Sequence, residues 1–521
     1  MEVWDIYAQA VDEYKAKNYD AALELLYEIQ RREPGYRKAY MLESYIWSSR
    51  DNFVKNFDAL SKLLPLLNPV TPDIKNLASQ ALSRFAETCR VLAMPEEALQ
   101  SFVLAAEFAP NNELACLEMS SAQFAACSLE NFSAADFRAL YAEYKKYLTD
   151  ITPFPRRFYA HDKIRVGFLS ADFFYHAAIN WSWTLLTKLD KNRFDVYYYS
   201  SGKKSDKVTD YLRTTAAHWC DITDLTDAQA AQLIRNEEID ILFDLSGHTA
   251  NNRLRVAAYR PAGVQISGVG YMNSTGLDCF DYFLSDVHCA GDKRYFAEKL
   301  LILPHSHICY NAATQLEPAA VPPCLVNGYV TFGSFNQFSK MTDSVLRTWK
   351  KILDAVPASR LILKHKVFDT DDGKNFAGKR LKSFGFDLSR VEMRGMTANH
   401  FAEYGDVDIA LDTFPYTGGV TTCEALYMGV PVVSLYGDRH GTRFGLSILT
   451  NVGLEALAVD SFDAYVERAV ALAGDWELLT ILRKNLRGMM RRSPLMNSAG
   501  YVRTVEKIFA DLIRECQQLP G

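Results

Sequence analysis

At about Ile164 the chain changes texture, as unbroken helical periodicity gives way to short apolar strands alternating with helices, the pattern of a parallel α/β architecture. A first block reads as strands at 164–169, 195–200, 239–244, 264–267 and 281–284, and ends near Pro304. A stretch rich in proline and alanine, Glu317 to Pro323, leads to a second block with strands at 329–332, 360–363, 391–393, 407–411 and 431–434. Two open sheets joined by a linker form a cleft between them. In such sheets ligands bind beyond the carboxyl ends of the strands, so the residues just after each strand are the functional candidates. A length of 521 residues at 49% hydrophobic content is too long for one core and too apolar for disorder, so two to four domains are expected.

Up to about Asp150 the chain reads as all-α. Leu82, Phe85, Ala86, Ala98, Phe102, Ala105 and Pro110 place small and aromatic residues where a tetratricopeptide unit has them, and Ala10, Tyr14, Ala22, Leu26, Ile29 and Pro34 make a weaker copy. Small residues let the two helices of a unit approach closely, and the proline ends the second helix before the next unit begins. Such a module offers a groove or platform rather than chemistry. An ordinary helical bundle is the alternative.

The formal net charge of -6 argues against a nucleic-acid partner, which would need a broad basic surface. Ten cysteines scattered singly, with no CxxC pair, suit neither a disulfide framework nor a structural zinc site read from spacing, and fit a reducing cytoplasm. The acidic start of the chain lacks the form of a signal peptide, and no stretch reaches the roughly 20 apolar residues of a membrane helix. The expectation is a cytoplasmic protein without membrane insertion.

Four strand ends carry polar residues. After the first strand comes Ser170-Ala-Asp172-Phe-Phe-Tyr-His176, and after the strand ending at Asp244 comes Leu245-Ser-Gly-His248-Thr249. Both histidines are expected to face the cleft, with Asp172, His248 and Thr249 as acceptor-side candidates. The run from Asp412 to Gly429 reads as strand, glycine turn, hydroxyl pair and helix. Gly418 and Gly419 would let backbone approach a diphosphate, unpaired amides at the helix start would donate to it, and Thr421 and Thr422 would add hydroxyl donors. Glu424, expected in the first turn of that helix, suits a ribose diol. Lys340, in Phe335-Asn-Gln337-Phe-Ser-Lys340, places a cation after another strand, where it can offset charge on a departing diphosphate.

From Ile164 onward these segments, with Arg260-Pro-Ala262 and Ser493-Pro-Leu495, resemble in order and content the O-linked N-acetylglucosamine transferase (Spindly-type) family. The resemblance implies a GT-B fold: an all-α tetratricopeptide-like domain at 1–150, a Rossmann-like acceptor-side lobe at 160–315, and a donor-binding lobe at 325–521. It implies a UDP-sugar as donor substrate, no metal and no other cofactor. Residue by residue, it assigns Gln337 and Lys340 to the donor diphosphate, His400 to the uracil, Thr421 to a phosphate with Thr422 beside it, and Glu424 to the ribose. His176 falls on the histidine close to the reacting centre, a candidate base. The chain departs from the family at Gly270-Tyr-Met-Asn-Ser-Thr275-Gly, on the acceptor edge, and at Val420, which replaces a hydroxyl of the phosphate cradle.

The expected activity is inverting transfer of N-acetylglucosamine or a related hexose to a serine or threonine hydroxyl of a protein or peptide. The helical repeats offer a route to oligomerisation. Asparagine glycosylation from UDP-glucose, a sugar-nucleotide epimerase, and a helical scaffold with a relic transferase half remain as alternatives. The last helix, around Gly500–Phe509, is expected to cross back to the first lobe by analogy with this architecture.

Overall fold

The computed structural model describes residues 2–518 and divides into two compact units. One contains the chain up to Leu129 together with Phe335–Lys350 and Ile362–Ala398; the other contains Glu130–Ser334, Lys351–Leu361 and Asn399 onward.

The first unit begins with helices Val3–Lys15, Tyr19–Arg32, Arg37–Ser49, Phe53–Leu66, Lys75–Val91, Pro95–Glu107 and Asn112–Ala126. Their boundaries follow local chemistry. Pro95 starts its helix where a missing N–H costs nothing, and the Asn111 side chain accepts from the Leu114 amide at 2.9 Å. Ala10, Ala22, Leu26 and Ile29 are fully buried in one cluster with Ala39 and Ile46 of the third helix, while Ala86, Ala98 and Ala105 are fully buried further along. The small residues therefore sit at helix contacts, as the repeat pattern predicts. The next helix, Ala134–Lys145, belongs to the second unit, where Lys145 pairs with Asp278 at 2.7 Å and the Tyr141 hydroxyl donates to the Ser274 carbonyl at 3.4 Å.

In the second unit, strands β1 (Ile164–Ser170), β2 (Phe194–Ser200), β3 (His218–Asp221), β4 (Ile241–Asp244), β5 (Val264–Gly268), β6 (Tyr282–Asp286) and β7 (Lys299–Leu303) form one sheet in the order β3-β2-β1-β4-β5-β6-β7. Every pairing is parallel. The order reverses direction between β1 and β4, so the loops leaving Ser170 and Asp244 flank the crevice where such sheets bind ligands. The chain then forms β8 (Thr331–Ser334), β9 (Arg360–Lys364), β10 (Val391–Arg394), β11 (Ile409–Leu411), β12 (Val432–Leu435) and β13 (Ala458–Val459). Within this unit β8, β11, β12 and β13 pair in that order, all parallel.

The strands absent from the sequence reading, β3, β7 and β13, lie at sheet edges, where one side meets solvent and the apolar signal is diluted. The last helix, Ser498–Gln517, does return to the first lobe: Phe509 packs against Phe194 and Phe243, and Glu506 accepts from the Asp190 amide at 2.7 Å. Among the described residues no helix is long and apolar enough to cross a membrane.

Candidate functional site

The glycine turn after β11 is built around Asp412. Its fully enclosed carboxylate accepts from the amides of Thr413 at 2.8 Å and Gly418 at 2.6 Å with one oxygen, and from the Ser434 hydroxyl at 2.6 Å with the other. These bonds fold the chain back so that Gly419 caps the helix Val420–Tyr427. Sequence reasoning placed Asp412 in this run without giving it a role. The signal was there: a carboxylate at the end of a buried strand must find donors, and the nearest are the amides of the turn that follows.

The two glycines are required by what surrounds them. A Cβ on Gly418 would lie 2.5 Å from the Thr422 hydroxyl and 2.8 Å from that of Thr421, so both hydroxyls border the concavity that Gly418 leaves open. A Cβ on Gly419 would lie 2.4 Å from the Trp181 ring, which comes from the helix Ile179–Thr187 of the first lobe. Glu424 is buried at the fifth position of its helix, not in the first turn as expected, because the helix begins at Val420. Its carboxylate lies 3.3 Å from His400 Nε2 on the short helix His400–Glu403. This helix thus presents a hydroxyl pair and, within a turn, an acid that meets His400 of the neighbouring short helix.

Opposite this helix stands the loop after β1. His176 is half-exposed, with Nδ1 3.8 Å from the Asp172 carboxylate and 3.4 Å from the Ala178 amide, which donates to it. Burial raises the Asp172 carboxyl above the usual carboxylate range, against the opposing pull of His176 and Lys204. Tyr175 of the same loop feels the charge of Glu424, which together with burial raises its phenol. The helix that follows this loop reaches the glycine turn, where the Trp181 ring lies against Gly419, so the His176 loop and the helix carrying Thr421 and Glu424 meet at the crevice.

His248 does not face the cleft as expected. It is buried, with Nε2 2.8 Å from the Thr275 carbonyl and its ring edge-on to Tyr144 and Tyr271. The α/β turn there is covered by the helix Ala134–Lys145, which carries Tyr144 and which strand-end reasoning does not take into account. Thr249 turns back on its own loop, donating to the Ser246 carbonyl at 2.8 Å. Burial lowers the His248 pKa from 6.5 to about 4. Folded His248 stays neutral in that window while the unfolded chain takes up a proton, so its contribution to stability falls as pH drops from 6.5 towards 4. Unfolding measured against pH should fall less steeply in His248→Gln than in the parent, by up to about 1.4 kcal/mol per pH unit; parallel curves would contradict a buried neutral imidazole.

In the other unit, Lys340 is buried at the end of the short 3-10 turn Phe338–Lys340, and its amide donates to the Gln337 carbonyl at 2.9 Å. The Gln337 side chain is exposed and accepts from the Ser339 hydroxyl at 3.4 Å. A buried lysine is costly unless charge compensates it, so this position is not that of a solvated surface cation. The altered acceptor-edge turn is anchored rather than loose: the Ser274 hydroxyl and the Thr275 amide donate to buried Glu298 at 2.6 and 2.8 Å.

Two parallel α/β lobes with a glycine turn, a hydroxyl pair and an acid–imidazole pair at the strand ends define a GT-B architecture, the fold of a large class of glycosyltransferases. The model of glycosyl transferase family 41 matches residues 146–317 and 323–505, and the chain belongs to that family. A probable UDP-N-acetylglucosamine–peptide N-acetylglucosaminyltransferase SPINDLY of Solanum lycopersicum is 38% identical over 387 residues, which is 73% of this chain and 41% of that protein. Its namesake in Arabidopsis thaliana is 38% identical over 358 residues, 67% of this chain and 39% of that protein. The chain thus spans about two fifths of the length of these curated relatives. A lysine-to-methionine variant of the O-GlcNAc transferase of Thermobaculum terrenum has a similar structure, with a TM-score of 0.85, 26% identity, and coverage of 99% of this chain and 98% of that one.

Proposed function

We propose that this protein transfers N-acetylglucosamine or a related hexose from a UDP donor to a serine or threonine hydroxyl of a protein, by direct inverting displacement without a catalytic metal. The observation that carries the reading is the meeting of the His176 loop with the glycine turn and helix that hold Thr421, Glu424 and, beside it, His400. Family membership and the printed names of the relatives support both the donor and the protein acceptor.

In this reading the diphosphate lies over Gly418 against the helix start, where backbone amides and the Thr421 hydroxyl donate to it. Glu424 accepts from the ribose, with His400 against the uracil. The acceptor hydroxyl attacks the anomeric carbon from the side opposite the departing diphosphate, and its proton passes to His176. Asp172 lies beside it, 3.8 Å from Nδ1. The helix dipole offsets the charge that grows on the leaving group, the dominant demand of such a displacement, and the family resemblance assigns Lys340 and Gln337 to the same diphosphate.

The test is calorimetric titration of protein held in excess chelator with UDP, UDP-glucose and UDP-N-acetylglucosamine, followed by mass spectrometry of peptides incubated with whichever conjugate binds. Binding, with sugar found on serine or threonine, is the expected result. Sugar on asparagine would move the assignment to an N-glycosyltransferase, and failure of all three nucleotides to bind, with and without chelator, would overturn the transferase reading.

A further inference from the structure

Away from the donor turn, three side chains from distant parts of the second unit bury their ligating atoms together. Cys289 follows β6, His307 follows β7, and His440 lies in the short 3-10 turn His440–Thr442 of the second lobe. The sulfur and one nitrogen of each imidazole lie within 4.8 Å of one another, and all three residues are almost wholly enclosed.

The outer hydrogen bonds fix which nitrogens face inward. His307 Nδ1 is 2.5 Å from the Asp286 carboxylate, so that nitrogen carries the proton, and in the neutral ring Nε2 is the lone pair. His440 Nδ1 faces the Met272 carbonyl at 3.4 Å, so its Nε2 is likewise left as a lone pair. Both Nε2 atoms are buried without a hydrogen-bond partner. Two such lone pairs converging near a thiol are costly unless something electrophilic sits between them. The Cys289 thiol itself donates only weakly, to the Arg443 carbonyl at 3.5 Å.

Asp286 completes the pattern as an outer partner. Its oxygens also accept from the amides of His288 and Cys289, each at 2.8 Å, from the His307 amide at 2.9 Å and from the Ser447 hydroxyl at 3.0 Å. A carboxylate that holds a ligating imidazole by its far nitrogen is the usual support of a metal-bound histidine.

We propose that Cys289, His307 and His440 bind one zinc ion that clamps the two lobes of this unit together. One thiolate and two imidazoles are a donor set that suits zinc, with a fourth position left for water. On binding, the Cys289 thiol gives its proton to solvent, and the thiolate and the Asp286 carboxylate together balance the two positive charges. The ion is structural and takes no part in sugar transfer. Its consequence for the donor site runs through Gly441, whose carbonyl accepts from the Thr417 hydroxyl at 2.9 Å, one residue before Gly418.

The experiment is elemental analysis of protein purified without chelators from zinc-supplemented medium, then replacement of the metal by cobalt(II) and an absorption spectrum. About one zinc per chain is expected, with a thiolate-to-cobalt charge-transfer band that Cys289→Ser abolishes and His440→Gln weakens or shifts. Because the readout is metal content and colour, it is independent of whether the transferase reading holds. Folded protein that neither retains zinc nor takes up cobalt would overturn the proposal, as would a cobalt band that survives in Cys289→Ser.

Discussion

Lys340→Ala slows sugar transfer about a hundred- to thousandfold, equivalent to roughly 2.7–4 kcal/mol of lost transition-state stabilisation, while weakening UDP binding much less. Lys340 is buried at the end of the short 3-10 turn Phe338–Lys340, a few residues after β8, so its ammonium is kept from bulk solvent. A fixed charge in a water-poor site acts most strongly where negative charge is still growing, which in this displacement is the departing diphosphate. Turnover should therefore suffer more than ground-state affinity. Comparing kcat with the UDP dissociation constant in parent and variant decides it: a fall of less than tenfold in kcat, or an equal fall in both, would remove Lys340 from the leaving-group role.

Asp412→Ala is the second large effect. The substitution removes the acceptor of two amides and one hydroxyl that are all enclosed, and each orphaned donor costs on the order of 1–3 kcal/mol. The loss of stability should be about 3 kcal/mol or more, read as a lower midpoint in denaturant or heat. Because the bond to the Gly418 amide shapes the turn itself, UDP affinity should fall at least about tenfold as well, roughly 1.4 kcal/mol. Asp412→Asn keeps one acceptor oxygen and should fall between the two. A variant with parental stability and weakened binding would mean that Asp412 meets the ligand directly; parental values for both would remove it from the architecture of the turn.

The strands most fully legible in the sequence were those buried on both faces. The reading at 164–169 and 264–267 lies within a residue or two of the observed strands, whose central residues are buried, so apolar residues such as Val166, Phe168, Leu169, Val264 and Ile266 mark them. The edge strands β3 and β7 escaped because half of each faces outward, which mixes polar residues into the pattern. At the site, the glycine turn and the threonine pair were readable since a phosphate cradle needs a contiguous run of residues. The role of Asp412 is half legible, since Thr413 and Gly418 lie in the same run and only Ser434 demands knowledge of a neighbouring strand.

His248 and the cysteine cluster mark where sequence reading stops. A histidine after a strand faces solvent or core according to what packs over the loop, and here the cover comes from a helix that ends at Lys145, on the far side of the first strand in sequence. Cys289, His307 and His440 have no metal-ligand spacing, and their ligating atoms converge only once two lobes are folded against each other. By itself the sequence determined the alternation of strands and helices, the repeat-like helices before it, and the order of donor-site motifs, because each is a local pattern of burial or backbone chemistry. Only the tertiary structure decided which histidines are enclosed and which distant ligands meet, because those depend on contacts between segments whose separation along the chain carries no signal of their distance in space.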